Sequence, residues 1–331
     1  MERKRRMNYK QTGNIDTKVL VTGCAGFIGS NLVDSLLNKG YSVVGIDNLV
    51  TGNKKFLENA SNNKNFTFVE LDLLIDTKKM NSIPKCHTVF HFAANADVRF
   101  GIQQPRKDLE QNTIVTHNVL EMMRKLEIQN IVFASTGSIY GEAKTIPTTE
   151  SSEFPIQTSL YGASKLACEG MIQAYCEGFG IKSWIFRFVS ILGTRYTHGH
   201  IYDFMKQLKI DSNNLKVLGN GHQRKSYLHI SDCMNGVLLG IEKSTDKINI
   251  FNLGIDETCE VNDSIYWICR ELSLNPKITY ESELRGWVGD NPLIHLDTSR
   301  IQRLGWKPKF SIENSIKDTV KYLKENDWLF N

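Results

Sequence analysis

A glycine-rich turn between a strand pattern and a helix pattern constrains this fold more than any other part of the chain. A buried strand is indicated by the apolar run Lys18-Val19-Leu20-Val21. A helix is indicated after it by Ile28, Leu32 and Leu36, which recur at helical spacing. Between them lies Gly23-Cys24-Ala25-Gly26-Phe27-Ile28-Gly29. Glycines there permit a tight bend, a close approach of the backbone to a ligand, and close packing of helix on strand. The segment therefore predicts the first strand, turn and helix of a βαβ series.

The same alternation continues along the first half of the chain. Apolar strand patterns at 42–46, 66–69, 88–92, 131–134 and 183–188 alternate with helix patterns from Leu109 to Leu126 and from Ala163 to Phe179. Strands that are apolar throughout are typical of a parallel sheet covered by helices on both faces. The sequence therefore predicts an α/β fold, with a Rossmann-type doubly wound parallel sheet and a smaller C-terminal substrate-binding domain.

The pattern also suggests domain boundaries. Residues 1–16 are basic and are expected to form a disordered tail. We assign residues 17–190 and about 232–254 to the sheet domain, because Ile248 to Leu253 reads as a further core strand. Residues from about 191 to 231 and from 255 to 331 lack a clear βαβ period and are assigned to the substrate domain.

Composition excludes several classes of partner. A net charge of +4 over 331 residues is too small to indicate a nucleic-acid binder, and no apolar run is long enough to cross a membrane. The N-terminus also lacks the apolar stretch of a signal peptide. The seven cysteines are scattered and form no CxxC pair, so we expect neither a disulfide framework nor a metal site. We therefore expect a cytoplasmic protein.

The glycine-rich turn indicates a dinucleotide site. A helix that begins there offers free N–H groups and its positive dipole end to phosphates. Asp47 ends the second strand pattern 24 residues after Gly23, where a carboxylate accepts the ribose hydroxyls of NAD and repels the 2′-phosphate of NADP. Asp72, after the third strand, is expected to contact the adenine. An ordinary turn at Asp47-Asn48 is the alternative interpretation.

A second pattern indicates catalysis. Tyr161 and Lys165 lie four residues apart at the start of a predicted helix, so their side chains share one face. A nearby ammonium lowers the pKa of a phenol, and the tyrosine is then able to act as a base near neutral pH. Ser135-Thr136 ends the preceding strand, where open α/β sheets bind their ligands. A surface Tyr and Lys without a catalytic role is the alternative.

These motifs carry a resemblance to a known family. The chain resembles the extended short-chain dehydrogenase/reductase family, in particular its UDP-glucose 4-epimerase-like sugar-nucleotide enzymes, from Lys18 almost to the end. The resemblance rests on the glycine-rich turn, His91-Phe92-Ala93-Ala94, Ser135 to Gly141, Tyr161-x-x-x-Lys165, Gly219 to Lys225, Arg285 to Asp290 and Leu304 to Pro308.

The resemblance implies a role for each site residue. Tyr161 would take the proton of the sugar 4-hydroxyl, Thr136 would bond the 4-oxygen, and Lys165 would bind the nicotinamide ribose. It implies a cofactor site made of Gly23, Gly26, Phe27, Ile28, Gly29, Asp47, Asn48, Asp72, Leu73, Ala93, Asn112, Tyr161 and Lys165. It implies a site for a nucleotide-diphosphate sugar made of Asn95, Thr136, Ser138, Ser190, Arg224, Lys225, Arg285 and Asp290. A homodimer formed by the helices that start at Leu109 and carry Tyr161 is also implied.

Several reactions of the family remain open. Members that eliminate water across C5–C6 of the sugar typically carry Asp-Glu after the catalytic Thr, whereas this chain has Gly137-Ser138, which disfavours a 4,6-dehydratase. A C4 dehydrogenase that releases a 4-keto sugar would use the same three residues as an epimerase. The phosphate-binding arginine of the family aligns with Lys225, and Arg224 precedes it, which leaves the nucleotide open.

Overall fold

The computed structural model describes residues 17–95, 101–153, 156–282, 286, 291 and 293–330. The basic N-terminal segment and the predicted site residues Arg285 and Asp290 lie outside these residues. The fold is α/β, as the sequence predicts.

A seven-stranded parallel sheet forms the centre of the molecule. Its strands are β1 (Lys18–Thr22), β2 (Ser42–Asp47), β3 (Phe66–Glu70), β4 (Thr88–His91), β5 (Asn130–Thr136), β6 (Lys182–Phe188) and β11 (Ile248–Leu253), in the order β11-β6-β5-β4-β1-β2-β3. The strand order reverses at β1, between β2 and β4. A crevice forms at such a reversal, above the carboxyl ends of the strands, and this is where open α/β sheets bind ligands.

Helices cover both faces of the sheet because side chains alternate along each strand. Leu20 and Val44 face one apolar core, and Val19 and Val21 face the other. The helices of the chain are α1 (Phe27–Asn38), α2 (Glu58–Ser61), α3 (Thr77–Met80), α4 (Pro105–Asp108), α5 (Val115–Lys125), α6 (Leu160–Phe179), α7 (His200–Ile210), α8 (Ile230–Lys243), α9 (Val261–Leu272), α10 (Ser299–Gln302) and α11 (Ile312–Glu325).

Short strands pair with one another in small sheets in the C-terminal part of the chain. They are β7 (Ser190–Leu192), β8 (Asn214–Val217), β9 (Arg224–Lys225), β10 (Tyr227–His229), β12 (Cys259–Glu260), β13 (Lys277–Tyr280) and β14 (Leu293–Ile294). They pair as β10 with β7, β13 with β8, and β12 and β14 on either side of β9.

Most predicted elements are confirmed, including the late core strand, which pairs with β6 along its whole length. The prediction that this helix starts at Leu109 was wrong. The helix begins at Pro105, a residue that suits the first turn of a helix, and passes through a π-helical segment, Leu109–Ile114, before α5. The helix predicted from Ala163 begins at Leu160, because Ser159 caps it by accepting the N–H of Gly162 at 3.0 Å.

Among the described residues, no helix combines the length and apolar character needed to cross a lipid bilayer. The same residues contain no cluster of three or more histidine, cysteine or acidic side chains arranged to hold a metal ion.

Candidate active site

The glycine-rich turn is closed by its own backbone. Gly23 adopts a φ of +67°, and its carbonyl accepts the N–H of Gly26 at 3.1 Å. A Cβ at Gly29 would lie 2.0 Å from the Gly23 oxygen, and a Cβ at Gly23 would lie 2.7 Å from the backbone nitrogen of Ala93. The glycines therefore allow turn, helix and β4 to pack at distances that any other residue would prevent.

The N-terminus of α1 is open to a ligand. Its N-cap is Gly26, no side chain caps it, and its first turn contains no acidic residue. Its first N–H groups and positive dipole end therefore remain available for phosphate oxygens. These features fit the pyrophosphate of a dinucleotide.

Asp47, at the end of β2, lies beside this turn. Its Oδ2 accepts the N–H of Ala25 at 2.9 Å and its Oδ1 accepts the N–H of Leu49 at 2.8 Å. Burial raises the pKa of this carboxyl, and the two N–H groups partly offset the effect. Asn48 donates to Asp72 Oδ2 at 3.0 Å, which joins two further residues predicted to bind the adenosine.

One cavity of about 1400 Å³ connects the predicted cofactor and substrate residues. Its volume exceeds that of a pocket for one drug-sized ligand, which is about 300–1,000 Å³. Predicted residues on its wall are Gly23, Gly26, Phe27, Ile28, Gly29, Asp47, Asn48, Asp72, Leu73, Ala93, Asn95, Thr136, Ser138, Tyr161, Lys165, Ser190 and Lys225. The fold thus brings residues from the carboxyl ends of six parallel strands, β1 to β6, and from the C-terminal part of the chain into one space.

Two predicted residues do not reach this cavity. Asn112 is buried behind it, where its Oδ1 accepts the N–H of Asn95 at 2.8 Å and its amide donates to Ser164 Oγ at 2.9 Å. Arg224 is exposed, and its Nη2 donates to Thr258 at 3.1 Å. Neighbouring residues of a strand point to opposite sides, so only Lys225 of the pair faces the cavity.

The predicted catalytic residues lie together. Thr136 ends β5 and caps the turn that follows, where its Oγ1 accepts the N–H of Ser138 at 3.1 Å. Tyr161 lies in the first turn of α6, and its phenol is close enough to the Thr136 side chain for that neighbour to lower its pKa. Lys165 follows one helical turn later, is 3% exposed, and has its Nζ 4.3 Å from the ring centre of Phe133.

The protonation of this group differs from the sequence-based expectation. Lys165 was expected to lower the pKa of Tyr161, but burial raises the pKa of Tyr161 to about 12, and the nearby Thr136 side chain offsets this only in part. Burial also lowers the pKa of Lys165 to about 8. A group with a pKa of about 8 is still mostly protonated at neutral pH, so the raised pKa of Tyr161 comes from burial of the phenol and not from loss of the charge on Lys165.

The sequence did not indicate several residues on the substrate side of the cavity. Gln223 donates to the Leu218 carbonyl at 3.1 Å, and its Oε1 is buried without a hydrogen-bond partner among the described residues. His200 packs on Tyr227 at 4.9 Å, and burial lowers its pKa to about 3. Gln223 lies in the Gly219–Lys225 segment that carries the resemblance, but its position on the cavity wall, like that of His200, follows from the fold.

A family model decides the relationship of this chain to known proteins. The model of the NAD dependent epimerase/dehydratase family matches residues 19–254, which contain the glycine-rich turn, Asp47, Thr136, Tyr161 and Lys165. The chain belongs to this family.

Individual members of the family cover almost the whole chain. A UDP-glucose 4-epimerase from Halalkalibacterium halodurans is 30% identical over 93% of this chain and 96% of its own length. The crystal structure of a UDP-galactose 4-epimerase is 34% identical, with a TM-score of 0.84 over 94% of this chain and all of the other.

A third member was solved with its ligands. The UDP-glucuronic acid 4-epimerase from Bacillus cereus, in complex with UDP-glucuronic acid and NAD, is 27% identical, with a TM-score of 0.85 over 93% of this chain and 99% of the other. As a member of an NAD-dependent family, this protein uses NAD, and its glycine-rich turn and Asp47 fit that cofactor.

Proposed function

We propose that this protein is a sugar-nucleotide 4-epimerase that inverts C4 of a nucleotide-diphosphate sugar, most simply a UDP-hexose, through a 4-keto intermediate. The observation that carries this proposal is the grouping of Thr136, Tyr161 and Lys165 on the wall of the cavity that also contains the glycine-rich turn. The UDP-sugar 4-epimerases among its relatives support the choice of substrate.

Each of the three residues has a distinct task in this reaction. Tyr161 takes the proton of the 4-hydroxyl as the sugar is oxidised and returns a proton as the ketone is reduced. Thr136 donates a hydrogen bond to the 4-oxygen in both directions, and Lys165 holds the cofactor beside the sugar. When bound, NAD supplies a reversible hydride acceptor and a positive charge, and this charge lowers the pKa of Tyr161 from the value set by burial.

The residues after Thr136 favour epimerisation over dehydration. Elimination of water from a 4-keto sugar needs an acid and a base near C5 and C6, but Gly137 and Ser138 supply neither. The methyl group of Ile294 lies 3.3 Å from the position that a Cβ at Gly137 would take, so this side of the cavity is narrow and apolar. Inversion at C4 needs no further acid or base.

The closest competing activity is a C4 dehydrogenase that releases the 4-keto sugar. The purified protein would be incubated with UDP- and GDP-linked hexoses and followed by NMR, with absorbance at 340 nm recorded in parallel. Epimerisation predicts a 4-epimer with no build-up of NADH. A steady rise in absorbance at 340 nm together with a 4-keto product would contradict the epimerase and identify a C4 dehydrogenase.

Two variants connect the activity to this site. Tyr161→Phe removes only the phenolic oxygen and is expected to reduce kcat by at least about a thousandfold, because the proton acceptor is lost. Tyr266→Phe, at a 62% exposed position of α9, is the matched control and should keep wild-type activity. Equal activity of the two variants would remove Tyr161 from the mechanism.

We further propose a homodimer formed by α5 and α6. Several apolar side chains of these helices and the segment before them are exposed: Leu109 (49%), Ile114 (37%), Leu160 (45%) and Phe179 (53%). Phe179→Lys is expected to give a monomer in light scattering, whereas Ile210→Lys, at an 81% exposed position of α7, should leave the dimer intact. A wild-type monomer at micromolar concentration would contradict this assembly.

A further inference from the structure

A buried carboxylate follows the catalytic residues on α6. Glu169 lies one helical turn after Lys165 and two turns after Tyr161, so the three share the face that packs on the sheet. The residue is 1% exposed. A charge so deeply buried is costly unless it is fully paired, and its partners therefore show what it holds in place.

The first partner is the residue before Thr136. Ser135 Oγ donates to Glu169 Oε1 at 2.5 Å, which joins the middle of α6 to the end of β5. The second is Arg187 of β6, whose Nη2 donates to Glu169 Oε2 at 2.7 Å and whose Nε donates to Oε1 at 3.1 Å. The carboxylate thus ties the catalytic helix to two neighbouring strands.

The network also holds the other side of Thr136. Arg187 Nη1 donates to the hydroxyl of Tyr140 at 2.7 Å, and this hydroxyl donates to Asn252 Oδ1 of β11 at 2.8 Å. Tyr140 ends the short helical turn that Thr136 begins. Hydrogen bonds from one buried ion pair therefore hold the chain immediately before Thr136 and four residues after it.

Apolar packing alone would not define the position of α6 along β5. Ile172, almost one helical turn after Glu169, packs in the apolar core beside the sheet, and such contacts have no directional preference. A hydrogen bond in a low-dielectric interior is directional and strong. The Ser135–Glu169 bond is thus the directional side-chain contact that joins α6 to β5 directly, next to Thr136.

We propose that Ser135 and Glu169 form a positioning pair that sets the separation of the Tyr161 phenol from the Thr136 hydroxyl. Neither residue exchanges a proton with the sugar. This inference rests on the proposed function for its kinetic consequence, although the alignment itself can be measured without substrate.

Ser135→Ala is the informative variant because it removes the bond to β5 and leaves the Arg187–Glu169 ion pair intact. Glu169→Gln would strand Arg187 without its counter-charge and so endanger folding. Ser183→Ala is the matched control: Ser183 is a fully buried serine of β6 at the opposite end of the strand from Phe188.

We expect Ser135→Ala to lower kcat about tenfold to a hundredfold, with KM and NAD affinity changed by less than about threefold. Because Ser183 Oγ has no hydrogen-bond partner among the described residues, Ser183→Ala should leave the melting temperature nearly unchanged, whereas Ser135→Ala should lower it. A purely structural role predicts similar kinetics for both variants instead. Wild-type kcat in Ser135→Ala, or an equal fall in Ser183→Ala, would overturn the proposal.

A measurement without substrate separates this inference from the proposed function. In protein labelled with ¹³C at tyrosine Cζ, the Tyr161 signal is assigned by its loss in Tyr161→Phe. Ser135→Ala should shift this signal, because the Tyr161 phenol moves relative to the end of β5, and Ser183→Ala should not. Unchanged Tyr161 signals would contradict the positioning pair even if no sugar nucleotide tested is turned over, an outcome that would separately contradict the epimerase.

Discussion

The carboxylate of Asp47 is bonded to the backbone N–H of Ala25 at 2.9 Å, so the acidic end of β2 is attached directly to the glycine-rich turn after β1. The residue that we propose to bind the ribose therefore also shapes the glycine-rich turn. A change at Asp47 alters charge and loop geometry together unless the replacement keeps an acceptor for Ala25.

Asp47→Asn removes the charge and keeps an oxygen that accepts the Ala25 N–H, although its amide nitrogen cannot accept the Leu49 N–H. We expect NAD to bind about tenfold more weakly, and we expect the penalty against NADP to shrink because a 2′-phosphate is no longer repelled. Calorimetric titration with both cofactors measures the ratio, with Asp211→Asn as an exposed control. An unchanged ratio of the dissociation constants for NAD and NADP would show that Asp47 does not distinguish the two adenosine riboses.

Gly29→Ala tests the close packing at the turn. The added methyl group would lie 2.0 Å from the Gly23 carbonyl oxygen, so turn and helix must separate. NAD binding should be lost and the melting temperature lowered. Gly178→Ala, in an open position near the end of α6, should be neutral or stabilising by about 0.5–1 kcal/mol. Normal NAD affinity in Gly29→Ala would rule out a tight approach of the turn to the cofactor.

The buried charge of Lys165 is expected to lower the free energy of unfolding at neutral pH, although the residue is needed for activity. Because burial lowers its pKa from 10.5 to about 8, the folded protein resists protonation that the unfolded chain accepts. This cost is fully present below pH 8 and disappears as the pH rises above 10.5. Lys165→Met should therefore be inactive and more stable at pH 7 by about 1–3 kcal/mol, with the gain shrinking towards pH 10. Denaturant unfolding across this range checks the sign, and a gain independent of pH would contradict it.

His91 should make the fold sensitive to acid. Its ring is buried between Thr22 and Thr116, at 2.8 and 3.0 Å, and burial lowers its pKa from 6.5 to about 3. The unfolded chain gains a proton below pH 6.5 and the folded chain does not, so stability falls as the pH falls, by up to about 1.4 kcal/mol per pH unit. The slope of the unfolding free energy between pH 6.5 and 4 should decrease in His91→Gln and stay unchanged in the exposed His117→Gln.

The parts of the site that sequence could predict depend on local chemistry. The glycine-rich turn, Asp47 at a strand end and the four-residue spacing of Tyr161 and Lys165 each follow from one short segment. The core strands could be predicted as well, because each is a short apolar run bounded by turn residues. The π-helical segment over 109–114 leaves no such signal, since its residues are those of an ordinary amphipathic helix.

Other features depend on contacts between distant segments. The choice of Lys225 over Arg224 follows from which face of β9 meets the cavity, and the burial of Asn112 follows from its bonds to Asn95 and Ser164. The raised pKa of Tyr161 depends on everything packed around the phenol. None of these is a property of nearby sequence, so reasoning from motifs could not supply them.

The fate of the hydrogen on C4 tests the central claim most directly. UDP-glucose labelled with deuterium at C4 would be incubated with the NAD-loaded enzyme in ordinary water, and the products would be examined by NMR and mass spectrometry. The account predicts UDP-galactose that keeps its deuterium at C4, because the hydrogen removed in oxidation returns to the same carbon on its other face. Loss of the label to solvent, or a 4-keto sugar in place of the epimer, would contradict it.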